Sequence, residues 1–175
     1  GDTITTLATR AGGATTTIDL NGKTITVENK GNDALASVAA GNTLVITNTV
    51  DGGKIELTEG STGAFIENNG TVVIENGNIK SNSTNDAPVI DNNGTTDITG
   101  GVIGNNAVEN NETEGGSVNI TGGKLEGDDF DDFIDDDYTK NENNEIVMKP
   151  VIAKIGDVEY RTLQKAFDAV DNGTI

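Results

Sequence analysis

The stretch Ile66-Glu67-Asn68-Asn69-Gly70-Thr71-Val72-Val73-Ile74-Glu75-Asn76-Gly77-Asn78-Ile79 decides how this chain is read. It returns 24 residues later as Ile90-Asp91-Asn92-Asn93-Gly94-Thr95-Thr96-Asp97-Ile98-Thr99-Gly100-Gly101-Val102-Ile103. In both copies an aliphatic residue leads into an Asn-Asn-Gly corner. A hydroxyl residue follows, with an aliphatic residue three positions on, then a second corner and another aliphatic residue. Runs this short, alternating with period two, make strands and not helices. Gly and Asn supply the positive φ that sharp corners need.

Three further segments carry the pattern. They are Thr17-Ile18-Asp19-Leu20-Asn21-Gly22-Lys23-Thr24-Ile25, then Thr43-Leu44-Val45-Ile46 resuming at Gly53-Lys54-Ile55, then Ser117-Val118-Asn119-Ile120-Thr121-Gly122-Gly123-Lys124-Leu125. Aligned on Thr17, Thr43, Thr71, Thr95 and Ser117, the repeats start 26, 28, 24 and 22 residues apart. A further apolar segment follows in most of them: Ala34-Leu35, Ala64-Phe65-Ile66, Ala87-Pro88-Val89-Ile90 and Ala107-Val108. Each repeat therefore offers about three short strands, the unit of a parallel β-helix. A single coil cannot bury its apolar face, so stacking is obligatory. The expected fold is all-β: a parallel β-helix of about five coils over residues 1–127, followed by a small α/β segment. Leu20, Ile46, Ile74, Ile98 and Ile120 should form one inward ladder, and Ile25, Ile55, Ile79, Ile103 and Leu125 a second. Thr3-Ile4-Thr5-Thr6-Leu7 reads as a partial coil before the first repeat. The competing fold is an antiparallel sandwich, whose strands are usually longer and do not repeat with corners in register.

Beyond the repeats, the composition changes. Asp128 to Glu145 holds nine acidic residues and one lysine. Phe130, Phe133, Ile134 and Tyr138 fall at i, i+3, i+4 and i+8, one face of a helix. Residues 128–148 thus read as an acidic flap or linker over an end of the rod, because open sheet edges have to be covered. The competing reading is a calcium loop with Asp131, Asp132, Asp135 and Asp136 as candidate ligands. No EF-hand frame is present, and weak, non-specific calcium affinity is the most that is expected. Residues 149–175 read as a hairpin bent at Gly156-Asp157, then a helix capped by Thr162 with Leu163, Ala166, Phe167 and Val170 on one face. Asp171-Asn172-Gly173 would end it.

The chain has 175 residues, 11 Lys+Arg against 29 Asp+Glu, and a net charge of -18. Such a field repels phosphates, so neither a nucleic-acid partner nor an anionic membrane surface is expected. No apolar run is long enough to insert into a membrane. With no Cys and no His, thiolate and imidazole chemistry, disulfides and Cys/His metal sites are excluded. Position 1 is Gly, without a visible signal peptide, which reads as a mature or excised piece. Gly22-Lys23-Thr24 echoes a phosphate loop but has Thr17 where that loop needs glycine. Asn-Gly-Thr at 69–71, 93–95 and 172–174 fits a glycosylation sequon and reads equally as corner chemistry, with the Asn stacking in a ladder. The paired threonines do not suggest a single flat ice-binding face. A sugar-stacking platform usually needs exposed aromatics, and Phe65 is the only aromatic before residue 128.

The stretch from Ile155 to Val170, Ile155-Gly156-Asp157-Val158-Glu159-Tyr160-Arg161-Thr162-Leu163-Gln164-Lys165-Ala166-Phe167-Asp168-Ala169-Val170, resembles the lead-in of pectate-lyase-like adhesive domains of bacterial surface proteins. Gly1-Asp2-Thr3-Ile4-Thr5 and Leu20-Asn21-Gly22-Lys23-Thr24-Ile25 resemble the strand entry and the start of the β-helix that come after the lead-in in such domains. The resemblance implies a right-handed β-helix. It implies a non-catalytic, cell-surface or extracellular bacterial module with an adhesive or stalk role, its partner an unknown host protein or glycan. The lead-in here comes last, as in one repeat of a tandem array cut within the array. Residues 150–175 could then dock head to tail on a neighbouring chain, since Gly173-Thr174-Ile175 echoes Asp2-Thr3-Ile4.

The scaffold's lyases make a carbohydrate-binding or polysaccharide-degrading domain using calcium the alternative. Elimination needs a base, and cations to hold uronate carboxylates. Arg10, Lys23, Lys30, Lys54, Lys80 and Lys124 do not cluster in the sequence. Glycoside hydrolysis needs two opposed carboxylates, and Asp19, Glu75, Asp91 and Asp97 show no such pairing in the sequence. The expectation is no catalytic residues, no enzyme activity and no cofactor.

Overall fold

A computed structural model describes residues 12–127 and 130–170. The partial coil expected at residues 3–7 and the corner at 171–175 lie outside them. Strands are numbered in chain order. The first sheet stacks β1 (Thr15–Asp19), β4 (Thr43–Thr47), β7 (Thr71–Ile74), β10 (Thr95–Ile98) and β13 (Ser117–Ile120). The second stacks β2 (Thr24–Val27), β5 (Lys54–Leu57), β8 (Asn78–Ser81), β11 (Val102–Ile103) and β14 (Lys124–Leu125). The third stacks β3 (Ala36–Val38), β6 (Ile66–Asn68), β9 (Ile90–Asn92) and β12 (Val108–Asn110). Every pairing in the three sheets is parallel. The chain is a parallel β-solenoid of about five turns, as its repeats require.

The second aliphatic ladder is the expected one: Ile25, Ile55, Ile79, Ile103 and Leu125 pair rung to rung. The first needs a correction. Ile18, not Leu20, is the partner of Ile46, and the ladder continues through Ile74, Ile98 and Ile120. The first repeat therefore starts at Thr15, and the starts lie 28, 28, 24 and 22 residues apart. Both Thr15 and Thr17 have an aliphatic residue three positions on, so the motif was ambiguous. The two-residue shift leaves inward and outward faces unchanged, because strand side chains alternate with period two.

Corner length absorbs the shift. Ile74, Ile98 and Ile120 each stand five residues before their second-ladder partner, whereas Ile18 stands seven before Ile25 and Ile46 nine before Ile55. The slack residues form a widened corner in the first two coils, and Leu20 is buried there. Glycine is required at the same corner further along. Gly101 has φ +82°, and a Cβ there would lie 2.5 Å from the Gly77 carbonyl oxygen.

A third ladder, Ala36, Ile66, Ile90 and Val108, closes the core, and two positions on it continues as Val38, Asn68, Asn92 and Asn110. Asn68 Nδ2 donates to Asn92 Oδ1 at 2.7 Å, and Asn92 Nδ2 donates to Asn110 Oδ1 at 2.8 Å. These asparagines sit one position before those of the sequons. Asn68 and Asn92 are fully buried, whereas Asn69 is exposed.

The acidic segment covers the last coil without forming the expected helix. It has one 3-10 turn at Asp131–Phe133, then an antiparallel pair, β15 (Tyr138–Lys140) and β16 (Ile146–Met148). Neighbouring aspartates repel along a helix face and are poor helix formers. The backbone pairs with the solenoid instead. Ile134 bridges to Ile120 in parallel, and Asp135 N–H donates to the Ile120 carbonyl at 3.0 Å. Ile134 thus extends the first ladder by one rung. Phe130 and Ile146 are buried in the core, with Phe133, Ile134 and Tyr138 packed on it. The last unit forms as its local spacing predicts: hairpin β17 (Ala153–Ile155) and β18 (Val158–Tyr160), then helix α1 (Leu163–Ala169). Thr162 Oγ1 caps the helix by accepting the Lys165 N–H at 3.2 Å.

Candidate binding surfaces

Register turns sequence neighbours into columns on the outer faces. On the first sheet, Thr15, Thr43, Thr71, Thr95 and Ser117 share one outward column. A single hydroxyl row recurs on this face, while the paired threonines do not, since the columns of Thr16 and Thr17 continue as Leu44 and Val45 on the next rung. The adjacent columns break it with Val45, Val73, Asp97 and Glu75. On the third sheet, Glu67, Asp91 and Glu109 occupy successive outward rungs. Asn111 Nδ2 donates to Asp91 Oδ1 at 2.5 Å.

The second sheet gathers basic residues the sequence scatters. Lys54, Asn78, Val102 and Lys124 share one outward column, with Lys80 beside it in register with Glu56. Glu56 lies 3.8 Å from Lys54 Nζ and 4.0 Å from Lys80 Nζ, and Glu126 lies 3.2 Å from Lys124 Nζ. Lys54 and Lys80 thus share the Glu56 carboxylate, and Lys124 pairs with Glu126 three rungs from Lys54. Exposed pairs like these contribute about 0–1 kcal/mol.

The widened corner beside this face forms a groove lined by Asn48, Asp51, Lys54, Asn76, Asn78 and Val102. Hydrogen bonds set its floor. Asn48 Oδ1 accepts the Gly22 N–H at 2.9 Å, and Asn76 Nδ2 donates to the Asn48 carbonyl at 2.9 Å. Asn78 Oδ1 is buried and accepts no hydrogen bond among the described residues. Asp19 ties the same corner together: it accepts from Thr49 Oγ1 at 2.7 Å, Thr49 N–H at 3.0 Å and Asn21 N–H at 2.9 Å. The Thr49 hydroxyl above all, then the two amides, hold its carboxyl below the usual aspartate value. Asn48, Asn76 and Asn78 were not singled out by sequence reasoning. The four-residue excess in the second repeat was the available signal, since it widens the corner.

The four candidate calcium ligands are engaged separately. Asp131 pairs with Lys140 at 2.6 Å. Asp135 Oδ1 accepts the Asp137 N–H at 2.8 Å. Lys149 Nζ donates to the Asp136 carbonyl at 2.9 Å, and Asp132 is exposed. No group of three or more carboxylates among the described residues is placed to hold a metal ion. Lys165 Nζ lies 2.9 Å from Asp137 and 4.0 Å from Asp135. The hydrogen bond to Asp137, with the charges of Asp135 to Asp137, raises its pKa above the ordinary lysine value. Calcium titration by calorimetry should show only weak, salt-sensitive heat, because lysines already neutralise part of the cluster. A stoichiometric micromolar isotherm would require a rearranged segment.

No family model, curated protein or solved structure matches the chain.

Proposed function

We propose that this chain is a non-catalytic β-solenoid module of a bacterial cell-surface or extracellular protein, with a stalk or adhesive role, of the pectate-lyase-like adhesive kind. The observation that carries the reading is the continuous register of three sheets. Each rung is hydrogen-bonded to the next and every inward position is filled, so the coils form a stiff rod with outer faces free to vary. The ion pairs of Lys54, Lys80 and Lys124 support a structural over a catalytic use of the basic face. The partner is a host protein or a glycan.

The corner groove favours a second reading, carbohydrate binding with or without calcium. Asp51 and Lys54 beside three asparagines and the apolar Val102 would suit a hydroxyl-rich ligand. A glycan array probed with and without calcium, together with incubation on pectin, pectate and neutral glycans, separates the readings. The adhesive or stalk reading expects no release of unsaturated uronate or reducing sugar. Glycan binding abolished by Asn78→Ala would establish the second reading. Calcium-dependent uronate release lost on mutating Lys54 or Lys80 would overturn both.

A further inference from the structure

Asn21-Gly22, Asn69-Gly70, Asn76-Gly77 and Asn93-Gly94 all lie at corners of the described solenoid. In such a pair the glycine nitrogen can attack the side-chain carbonyl carbon of its own asparagine, because glycine has no Cβ to shield that nitrogen. The attack depends on what holds the two groups, and the coils hold them differently.

In three of the pairs a residue from elsewhere holds one reactant. The Gly22 N–H donates to Asn48 Oδ1 at 2.9 Å, and the Gly70 N–H to Asn68 Oδ1 at 3.0 Å. Asn93 Oδ1 accepts from Asn111 Nδ2 at 2.7 Å. The fourth pair is closed on itself. The Gly77 N–H donates to Oδ1 of Asn76 at 2.8 Å. With a carbonyl bond of about 1.23 Å, that contact leaves the nitrogen within about 4 Å of Asn76 Cγ, near the separation from which a nucleophile attacks. Asn76 is exposed to water, and its Nδ2 is tied to the Asn48 carbonyl at 2.9 Å, which keeps Oδ1 turned toward Gly77.

We propose that Asn76 is a self-modification site, where this corner converts spontaneously from asparagine to aspartate and isoaspartate. Hydroxide removes the Gly77 amide proton, the nitrogen adds to Cγ, and the bond from Cγ to Nδ2 breaks. Ammonia leaves and a five-membered imide remains. Water then opens the imide at either carbonyl. One opening gives aspartate, and the other gives an isoaspartyl link with an extra main-chain carbon. One water is consumed and one ammonia released, with no change of oxidation state.

Both products alter the corner groove. The donor to the Asn48 carbonyl is lost, and a new negative charge joins Asp51 beside Lys54. The isoaspartyl product also lengthens the main chain between Ile74 and Ile79, whose rungs are set by the coils on either side. The conversion does not depend on whether the groove binds a glycan.

The test incubates the full chain at mildly alkaline pH in heavy-oxygen water. Each corner is then quantified by peptide mass spectrometry, with electron-transfer fragmentation to tell isoaspartate from aspartate. Asn76 is expected to convert about fivefold or more faster than Asn21, Asn69 and Asn93, to take up heavy oxygen, and to speed up as pH rises. The chain unfolded in guanidinium is the reference. There the four pairs are freed from their partners and should convert within about threefold of one another. A folded chain in which Asn76 converts no faster than the other three would overturn the proposal. So would an equal lead of Asn76 in the unfolded chain, which would assign the difference to local sequence and not to the corner.

Discussion

Ile74→Asp should destabilise the solenoid by more than about 4 kcal/mol, most of the stability of a marginal domain. Ile74 is the middle rung of five in the first ladder and is fully buried, with Ile46 on one side and Ile98 on the other. A carboxylate there would lose its hydration, meet only aliphatic carbon and leave the removed methyl groups' volume unfilled. Ionisation would be suppressed, and even the neutral acid would lack partners. Val73→Asp is the control. Val73 points outward on the same strand, in the column that already holds Asp97 one rung on. That change should cost about 1 kcal/mol or less. Urea denaturation followed by circular dichroism checks both. Equal effects would mean that Ile74 is no more enclosed by the core than Val73, and a reversed order that the two faces are exchanged.

Asn92→Ala should cost about 3 kcal/mol, although it removes only one small polar group. Asn92 is fully buried and works in several directions at once. Its Oδ1 accepts from Asn68 Nδ2 at 2.7 Å and Thr96 Oγ1 at 2.9 Å. Its Nδ2 donates to Asn110 Oδ1 at 2.8 Å and the Ser117 carbonyl at 3.0 Å. Alanine removes a partner from the buried Asn68 and Thr96 side chains and from the part-buried Asn110 and Ser117 groups, and an unmade buried hydrogen bond costs more than a made one contributes. Asn69→Ala, one residue before Gly70 and exposed, should change stability by about 0.5 kcal/mol or less. The contrast separates a ladder asparagine from a corner asparagine with an almost identical sequence environment. If the two variants melt together, the ladder does not contribute as its geometry requires.

Much of the candidate binding surface was invisible before folding. Lys54, Lys80 and Lys124 are spread over 71 residues, yet the coil period places them on one sheet face. Thr15, Thr43, Thr71, Thr95 and Ser117 are likewise a row only once the register is known. The corner groove depends on slack residues, whose path is set by the coils above and below them. By contrast, Thr162 and the helix from Leu163 to Ala169 could be read directly. Capping and the spacing of apolar residues within a short helix are local properties.

What the sequence determined by itself is the alternation. Five recurrences of an aliphatic residue with corner glycines dictate short strands, parallel stacking and which side chains point inward. That information lies within a few residues of each position, and period two protects it even when the first repeat is aligned two residues late. Tertiary structure decided the rest. It chose Ile18 over Leu20 for the ladder and placed Leu20 in the widened corner. It assigned the stacking asparagines to 68, 92 and 110, and it turned an apparent amphipathic helix at 130–138 into an extra rung at Ile134. In each case the deciding partner lies 14 to 28 residues away. Local spacing was satisfied equally by both alternatives, and only the hydrogen bonds and packing offered by the neighbouring coil distinguished them.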